Sequence, residues 1–229
     1  MLSTVVNLLN KDAITWLTNT IQQTPERIVP VAGGKNNRGL IVTADGRQYF
    51  LKQYFADDCH RFQRETDFVR LMGQHNVTSV AGLIGTKVDE KQEEELALFT
   101  LLPGKMPTQI NENLVMQAAS FIADINQPDI RQEAGHILPA RGGLGLAGEF
   151  IREIDRRMES FKYLFDLELE SEEQALYKVL EDFLRGDFKY AVQKAEAEVM
   201  TYFGEELQVP FPRVLSPSDF GFHNTLLDE

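Results

Sequence analysis

Asp219 and Asn224 stand in the C-terminal stretch V-L-S-P-S-D-F-G-F-H-N-T-L-L-D-E, which fills positions 214–229. A carboxylate and a carboxamide at the spacing D-x-x-x-x-N suit one chemical task. The carboxylate can orient a hydroxyl and take its proton. The carboxamide offers a neutral oxygen to a hard cation already surrounded by phosphate charge. The same two residue types also form Asx-turns, so a plain loop between two strands fits the spacing as well. The flanking apolar runs, Arg213-Val214-Leu215 and Thr225-Leu226-Leu227, predict strand, polar loop, strand.

A second set of chemistry-bearing residues lies upstream. Lys52 sits inside the apolar run Tyr49-Phe50-Leu51-Lys52-Gln53-Tyr54-Phe55, and a lysine on such a strand usually faces solvent. Glu65 follows on the next helix, three residues after Phe62 and so near that helix's buried side. Before them, Gly33-Gly34 allow the backbone to approach a phosphate closely. This is not a P-loop, because Lys35 is followed by Asn36 and not by Ser or Thr. A strand lysine fixed by a helix glutamate, behind a glycine-bearing loop, can meet the α- and β-phosphates of ATP as a point charge.

The elements that must position these groups read as strands first, then helices. Residues 10–22 have the helical period, with Ile14, Leu17 and Ile21 on one face. Strands are expected over 27–31, 40–43 and 48–55. Asp45-Gly46 makes a tight hairpin, and a second hairpin tip falls at Gly33–Gly39. A helix over 57–72 is capped by Asp57 or Asp58 and ended by Gly73, and strands follow over 81–88 and 96–101. Pro103-Gly104 breaks the pattern, dividing the chain into residues 1–102 and 103–229. Beyond the break, helices are expected from Asn111 to Ile125, near 149–165, from the capping box Ser171-Glu172-Glu173-Gln174 onward, and over 187–203. This order is α+β.

Composition narrows the partners. The 229 residues are 43% hydrophobic and 25% charged, ordinary values for a globular chain, and the net charge of −12 disfavours nucleic acid and anionic membrane. A single cysteine, Cys59, excludes an internal disulfide, and the N-terminus lacks the basic flank and apolar core of a signal peptide. A cytoplasmic protein with no membrane partner is the expectation.

Glycine loop, strand lysine, helix glutamate and D-x-x-x-x-N occur in the order of a kinase. With Gly33-Gly34-x-x-Asn37, the helix Ala118–Asn126 and S-D-F-G-F-H-N, the sequence resembles the aminoglycoside phosphotransferase and choline kinase-like family of small-molecule kinases. The resemblance runs from about Val29 to the C-terminus. It implies a two-lobe protein-kinase-like fold, with an antiparallel-sheet N-lobe and a mainly helical C-lobe. It implies ATP and magnesium as cofactors and a hydroxyl of an aminoglycoside-, choline- or sugar-like molecule as acceptor.

The resemblance also implies residue roles. Asp219 is the base and Asn224 a metal ligand. Gly33, Gly34, Asn37, Lys52 and Glu65 hold the nucleotide's phosphates. The run Leu98–Gly104, through the backbones of Thr100 and Leu102, holds its adenine. The helices of 149–203, rich in acid, would line the substrate site. The family carries a further Asp beyond the Asn, and Asp228 lies too close to Asn224 to serve. A C-lobe truncated at Glu229, with impaired transfer, is therefore expected, as is association of copies through apolar surface left around Phe150, Phe161 and Phe183. The alternative is a non-catalytic, nucleotide-binding or scaffolding pseudokinase.

Overall fold

Local capping and turn chemistry set most of the elements. The computed structural model describes residues 8–31, 37–55, 60–89, 94–140, 143–161, 171–217 and 220–228. Helix α1 (Lys11–Ile21) begins where Asn10, in extended backbone, accepts the Ala13 amide at 2.7 Å through Oδ1. It ends at Gln22 in the left-handed region, φ 58°.

Strands β1 (Arg27–Pro30), β2 (Asn37–Ala44), β3 (Arg47–Tyr54), β4 (Leu83–Asp89) and β5 (Glu94–Thr100) form one sheet in the order β1-β2-β3-β5-β4. Every neighbouring pair is antiparallel, and the β4–β5 register shifts between Leu83 and Gly85. Asp45 and Gly46 close the β2–β3 hairpin with φ of 48° and 70°, the paired positive values that a two-residue turn between twisted strands requires. The second expected hairpin exists as the β1–β2 pair. Gly33 and Gly34, expected at its tip, lie outside the described residues.

Alternation along β3 sends side chains to two different cores. Leu51 joins Leu40, Val42, Leu96, Leu98 and the α1 residues Ala13 and Leu17 on one face. Tyr54 joins Ala97, Phe99 and Val69 on the other, with Phe50 and Phe62 packed against them. The Glu94 carboxylate, buried in the sheet, accepts from Asn10 Nδ2 and Gln53 Nε2, both at 3.0 Å, and so ties the start of α1 to the strands.

Helix α2 (Arg61–Gln74) follows β3 and covers the Tyr54 face. The capping residues expected for it, Asp57 and Asp58, lie outside the described residues. Helix α3 (Glu112–Ile125) is capped by Asn111, whose Oδ1 accepts the Leu114 amide at 2.9 Å. With the short helix α4 (Pro128–Glu133) it builds a third cluster, in which Ile125 and Ile130 meet Leu71 and Met72 of α2.

The chain divides into two compact units, residues 1–141 with 214–229 and residues 142–213. The second unit is helical. In α5 (Gly148–Ser160) the Glu149 carboxylate accepts the Gly145 and Leu146 amides at the helix start. Helices α6 (Ser171–Phe183) and α7 (Lys189–Phe203) run into each other through a π turn, Leu184–Phe188, where the sequence predicts two separate helices. The apolar faces expected to be bare are so: Phe150, Phe161 and Phe183 are 55%, 37% and 49% exposed. No helix among the described residues is long and apolar enough to cross a membrane.

Candidate active site

Lys52 lies on β3 opposite Gly39 of β2 and Ala97 of β5, on the face that α2 covers. Glu65 enters from the second turn of α2. Lys52 Nζ donates to both carboxylate oxygens, at 2.8 Å to Oε1 and 2.6 Å to Oε2. Both side chains keep partial exposure, 22% and 36%, so the pair is reachable from solvent. The sheet thus fixes one partner and the helix the other, as the sequence order predicts.

Sequence reasoning missed Tyr54 as a neighbour of this pair. It lies two residues beyond Lys52 on the same face, and its ring centroid is 5.0 Å from Nζ, within cation–π range. Phe62 of α2 meets that ring edge-on at 5.4 Å. The Tyr54 hydroxyl is buried and has no partner in hydrogen-bond geometry. Burial pushes the phenol pKa far above its usual range, and the nearby Glu65 carboxylate adds to the rise. Directly across the strands, Asn37 also has a buried, unpartnered side-chain oxygen, Oδ1.

Thr100 and Leu102 stand where β5 ends. The Thr100 amide donates to Gly82 O at 2.8 Å, and its Oγ1 accepts the Gly82 amide at 2.8 Å. Its N–H is therefore engaged inside the sheet, and Leu102 lies beyond the strand.

Asp219 lies outside the described residues, but the chain is held on both sides of it. Upstream, the Asn126 side chain bonds the backbone of Leu215, accepting its amide at 2.8 Å and donating to its carbonyl at 2.9 Å. Immediately downstream, Phe220 packs on Phe121 of α3 with ring centroids 5.3 Å apart. Asn224 ends a single 3-10 turn, Phe222–Asn224, its amide bonded to Gly221 O at 2.8 Å and its side chain exposed. Past it, Leu227 and Lys105 exchange two backbone bonds, at 3.0 and 2.9 Å. Gly104 makes this approach feasible. Its φ is 112°, and a Cβ there would run into the Leu227 carbonyl.

The strand, loop, strand expected over 213–227 is thus realised differently. Leu215 is paired by a side chain, and Leu227 by one isolated bridge. Of the other expected site residues, the structure brings Lys52 and Glu65 together, with Asn37 across from Tyr54 beside them.

Comparison with solved structures defines the class of fold. Spectinomycin phosphotransferase APH(9)-Ia, in complex with ADP and spectinomycin, is similar with a TM-score of 0.59 and 15% identity, over 98% of this chain and 67% of that one. A thermostable mutant of aminoglycoside phosphotransferase APH(4)-Ia in its apo form gives a TM-score of 0.51 and 13% identity, over 94% and 67%. At such identities the likeness concerns the fold alone: α+β and protein-kinase-like, an antiparallel sheet followed by a mainly helical part. This chain spans about two thirds of the length of each, 67%. Over residues 27–229 the sequence matches the phosphotransferase enzyme family, and the chain belongs to it. No curated protein matches it.

Proposed function

We propose that the protein transfers the γ-phosphoryl group of ATP, with magnesium, to a hydroxyl of a small molecule of aminoglycoside, choline or sugar type. The observation that carries this reading is the bidentate Lys52–Glu65 pair across β3 and α2, in a chain of the phosphotransferase family. Residues 1–102 form the nucleotide lobe and 103–229 the helical lobe. Lys52, held in place by Glu65, neutralises the α/β-phosphates. Gly33, Gly34 and Asn37 approach the phosphates by backbone and side chain. The backbone of Leu102, more than that of Thr100, faces adenine, because the Thr100 N–H already serves Gly82.

In the transfer, Asp219 orients the acceptor hydroxyl and takes its proton. The bond from the γ-phosphorus to the bridging oxygen breaks, ADP leaves, and a new phosphorus–oxygen bond forms to the acceptor. Asn224 fits a hard cation in donor type, since its carboxamide presents a neutral oxygen from an exposed turn. Asn224, with phosphate oxygens and water, would contribute to that shell. Magnesium, when bound, offsets charge on the phosphate oxygens.

Titration with ATP and magnesium, and ATP consumption in the presence of a panel of small hydroxyl compounds, tests the reading. Lys52→Ala should weaken nucleotide binding without unfolding the chain. Asp219→Asn should lower kcat by roughly 10²–10⁴-fold with ATP affinity little changed. A Lys52→Ala protein that binds ATP as the wild type does would remove the assignment.

A further inference from the structure

We infer that Phe50, seated in the notch left by Gly39, carries the nucleobase by its face, and that the site therefore accepts GTP as well as ATP. The inference rests on the proposed binding of phosphate by Lys52, and it concerns the part of the nucleotide beyond that phosphate. Phe50 precedes Lys52 by two residues on β3, so both side chains stand on one face of the sheet, about 7 Å apart along the strand. Opposite Phe50 on β5 is Phe99, next to Thr100 and the strand end proposed to flank the base. The ring thus lies between the phosphate lysine and that strand end. A base joined to the phosphates through a ribose falls in the same place.

Gly39 faces Lys52 across the strands, which makes Phe50 its diagonal neighbour. A Cβ at position 39 would lie 3.0 Å from Phe50 Cε2 and 3.1 Å from Cζ, so a side chain there would push the ring aside. Val31 Cβ is 3.6 Å from the same point, and Phe99 backs the ring with centroids 6.5 Å apart. Glycine weakens a strand interior, and it marks places where a ligand approaches closely. Here it lets an aromatic ring lie across two strands, yet that ring keeps partial exposure, and Val31 beside it is 45% exposed. A ring held in place and left uncovered is a stacking surface.

Stacking also sets the selectivity. Every base has a π-face, so an aromatic platform binds bases with little regard to which they are. Discrimination needs donors and acceptors at the base edge. One expected donor is already engaged, since the Thr100 N–H bonds Gly82 O at 2.8 Å. The backbone of Leu102 remains, and its N–H can meet a ring nitrogen of adenine or the exocyclic oxygen of guanine.

The test is calorimetric titration of the full chain with ATP, GTP and inorganic tripolyphosphate, each with magnesium. Tripolyphosphate has the phosphates and no base. The wild type should bind ATP and GTP within roughly tenfold of each other. Phe50→Leu keeps an apolar side chain and loses the ring face. It should weaken both nucleotides by roughly tenfold or more and leave tripolyphosphate unchanged. Phe50→Tyr, which keeps the face, should retain nucleotide affinity. A larger preference of the wild type for either nucleotide overturns the inference, whether or not the variants fold. So does unchanged nucleotide affinity in Phe50→Leu. An equal loss for tripolyphosphate overturns it too, because the ring would then only support β3 and its lysine. If Lys52→Ala weakens ATP and tripolyphosphate while Phe50→Leu leaves ATP unchanged, this inference alone falls. If Lys52→Ala changes neither, the proposed function falls with it.

Discussion

Asn126 holds Leu215 by both of its backbone groups, with Oδ1 accepting the amide at 2.8 Å and Nδ2 donating to the carbonyl at 2.9 Å. The carboxamide acts as a one-residue strand partner. Nδ2 also donates to Ile122 O at 2.9 Å, which fixes the side chain to the end of α3. Since Phe121 of the same helix packs on Phe220, α3 braces the chain on both sides of Asp219.

Replacing Asn126 by alanine would leave the Leu215 amide and carbonyl without partners. The expected cost is about 1–3 kcal/mol, and the thermal midpoint of a chain of this size should fall by about 2–4 °C per kcal/mol. In the kinase reading kcat should fall while the KM for ATP holds, because the nucleotide lysine sits on β3. Steady-state kinetics decides. A rise in KM for ATP at constant kcat would place the effect of Asn126 elsewhere.

Gly104→Ala should open the link between Lys105 and Leu227. The substitution meets an unfavourable φ of 112° and a backbone carbon only 2.8 Å from the new Cβ. A loss of about 1–3 kcal/mol is expected. Amide hydrogen exchange should show Lys105 and Leu227 losing protection before the strands do. Unaltered exchange at both amides would contradict the expected clash.

Leu17 is 0% exposed, between α1 and the sheet. Truncating it to alanine should cost about 2–5 kcal/mol through lost burial and the cavity left behind. The urea midpoint reads this directly. A shift under 1 kcal/mol, far below that range, would mean that α1 does not stay docked in solution.

Glu153 gives a pH prediction. Its carboxylate accepts from Arg156 at 2.7 Å and from Arg157 at 2.8 Å. These bonds, that of Arg156 first, hold its pKa down to about 2, below the ordinary 4.5. A depressed pKa favours the folded helix above the ordinary value, and that support is lost as pH falls through the lower one. Titration of the Glu153 carboxyl carbon by NMR should show the low midpoint. Arg156→Gln should move it upward, and a midpoint that did not move would assign the depression to another group.

Signals confined to a few residues were legible in the sequence. Asp45-Gly46 between two β-rich runs gave the hairpin, and the helical patterns over 10–22 and from Asn111 to Ile125 match α1 and α3. Lys52 and Glu65 were readable as a pair because a strand and the helix after it place them in order. What depended on distant partners was hidden. Nothing in Arg213-Val214-Leu215 says that a side chain 89 residues away will serve as its strand neighbour. The separate helix expected to begin at Asp187 is instead continuous with the one before it, through the π turn Leu184–Phe188. Tyr54 reads as one more apolar strand residue, and only the fold shows its ring beneath an ammonium with its hydroxyl unmatched.

The two outer strands of the sheet bear on how the protein behaves when concentrated. β1 and β4 are the edges, where unpaired backbone groups could recruit a strand from another molecule. β1 is only four residues long and ends in Pro30, which has no N–H to offer. β4 is longer, but its register breaks between Leu83 and Gly85, and further along it carries Lys87, paired with Asp89 at 3.4 Å. A short proline-ended edge on one side and a bulged, charged one on the other make a poor template for edge-to-edge growth. The irregularity of β4 thus works as a safeguard against aggregation.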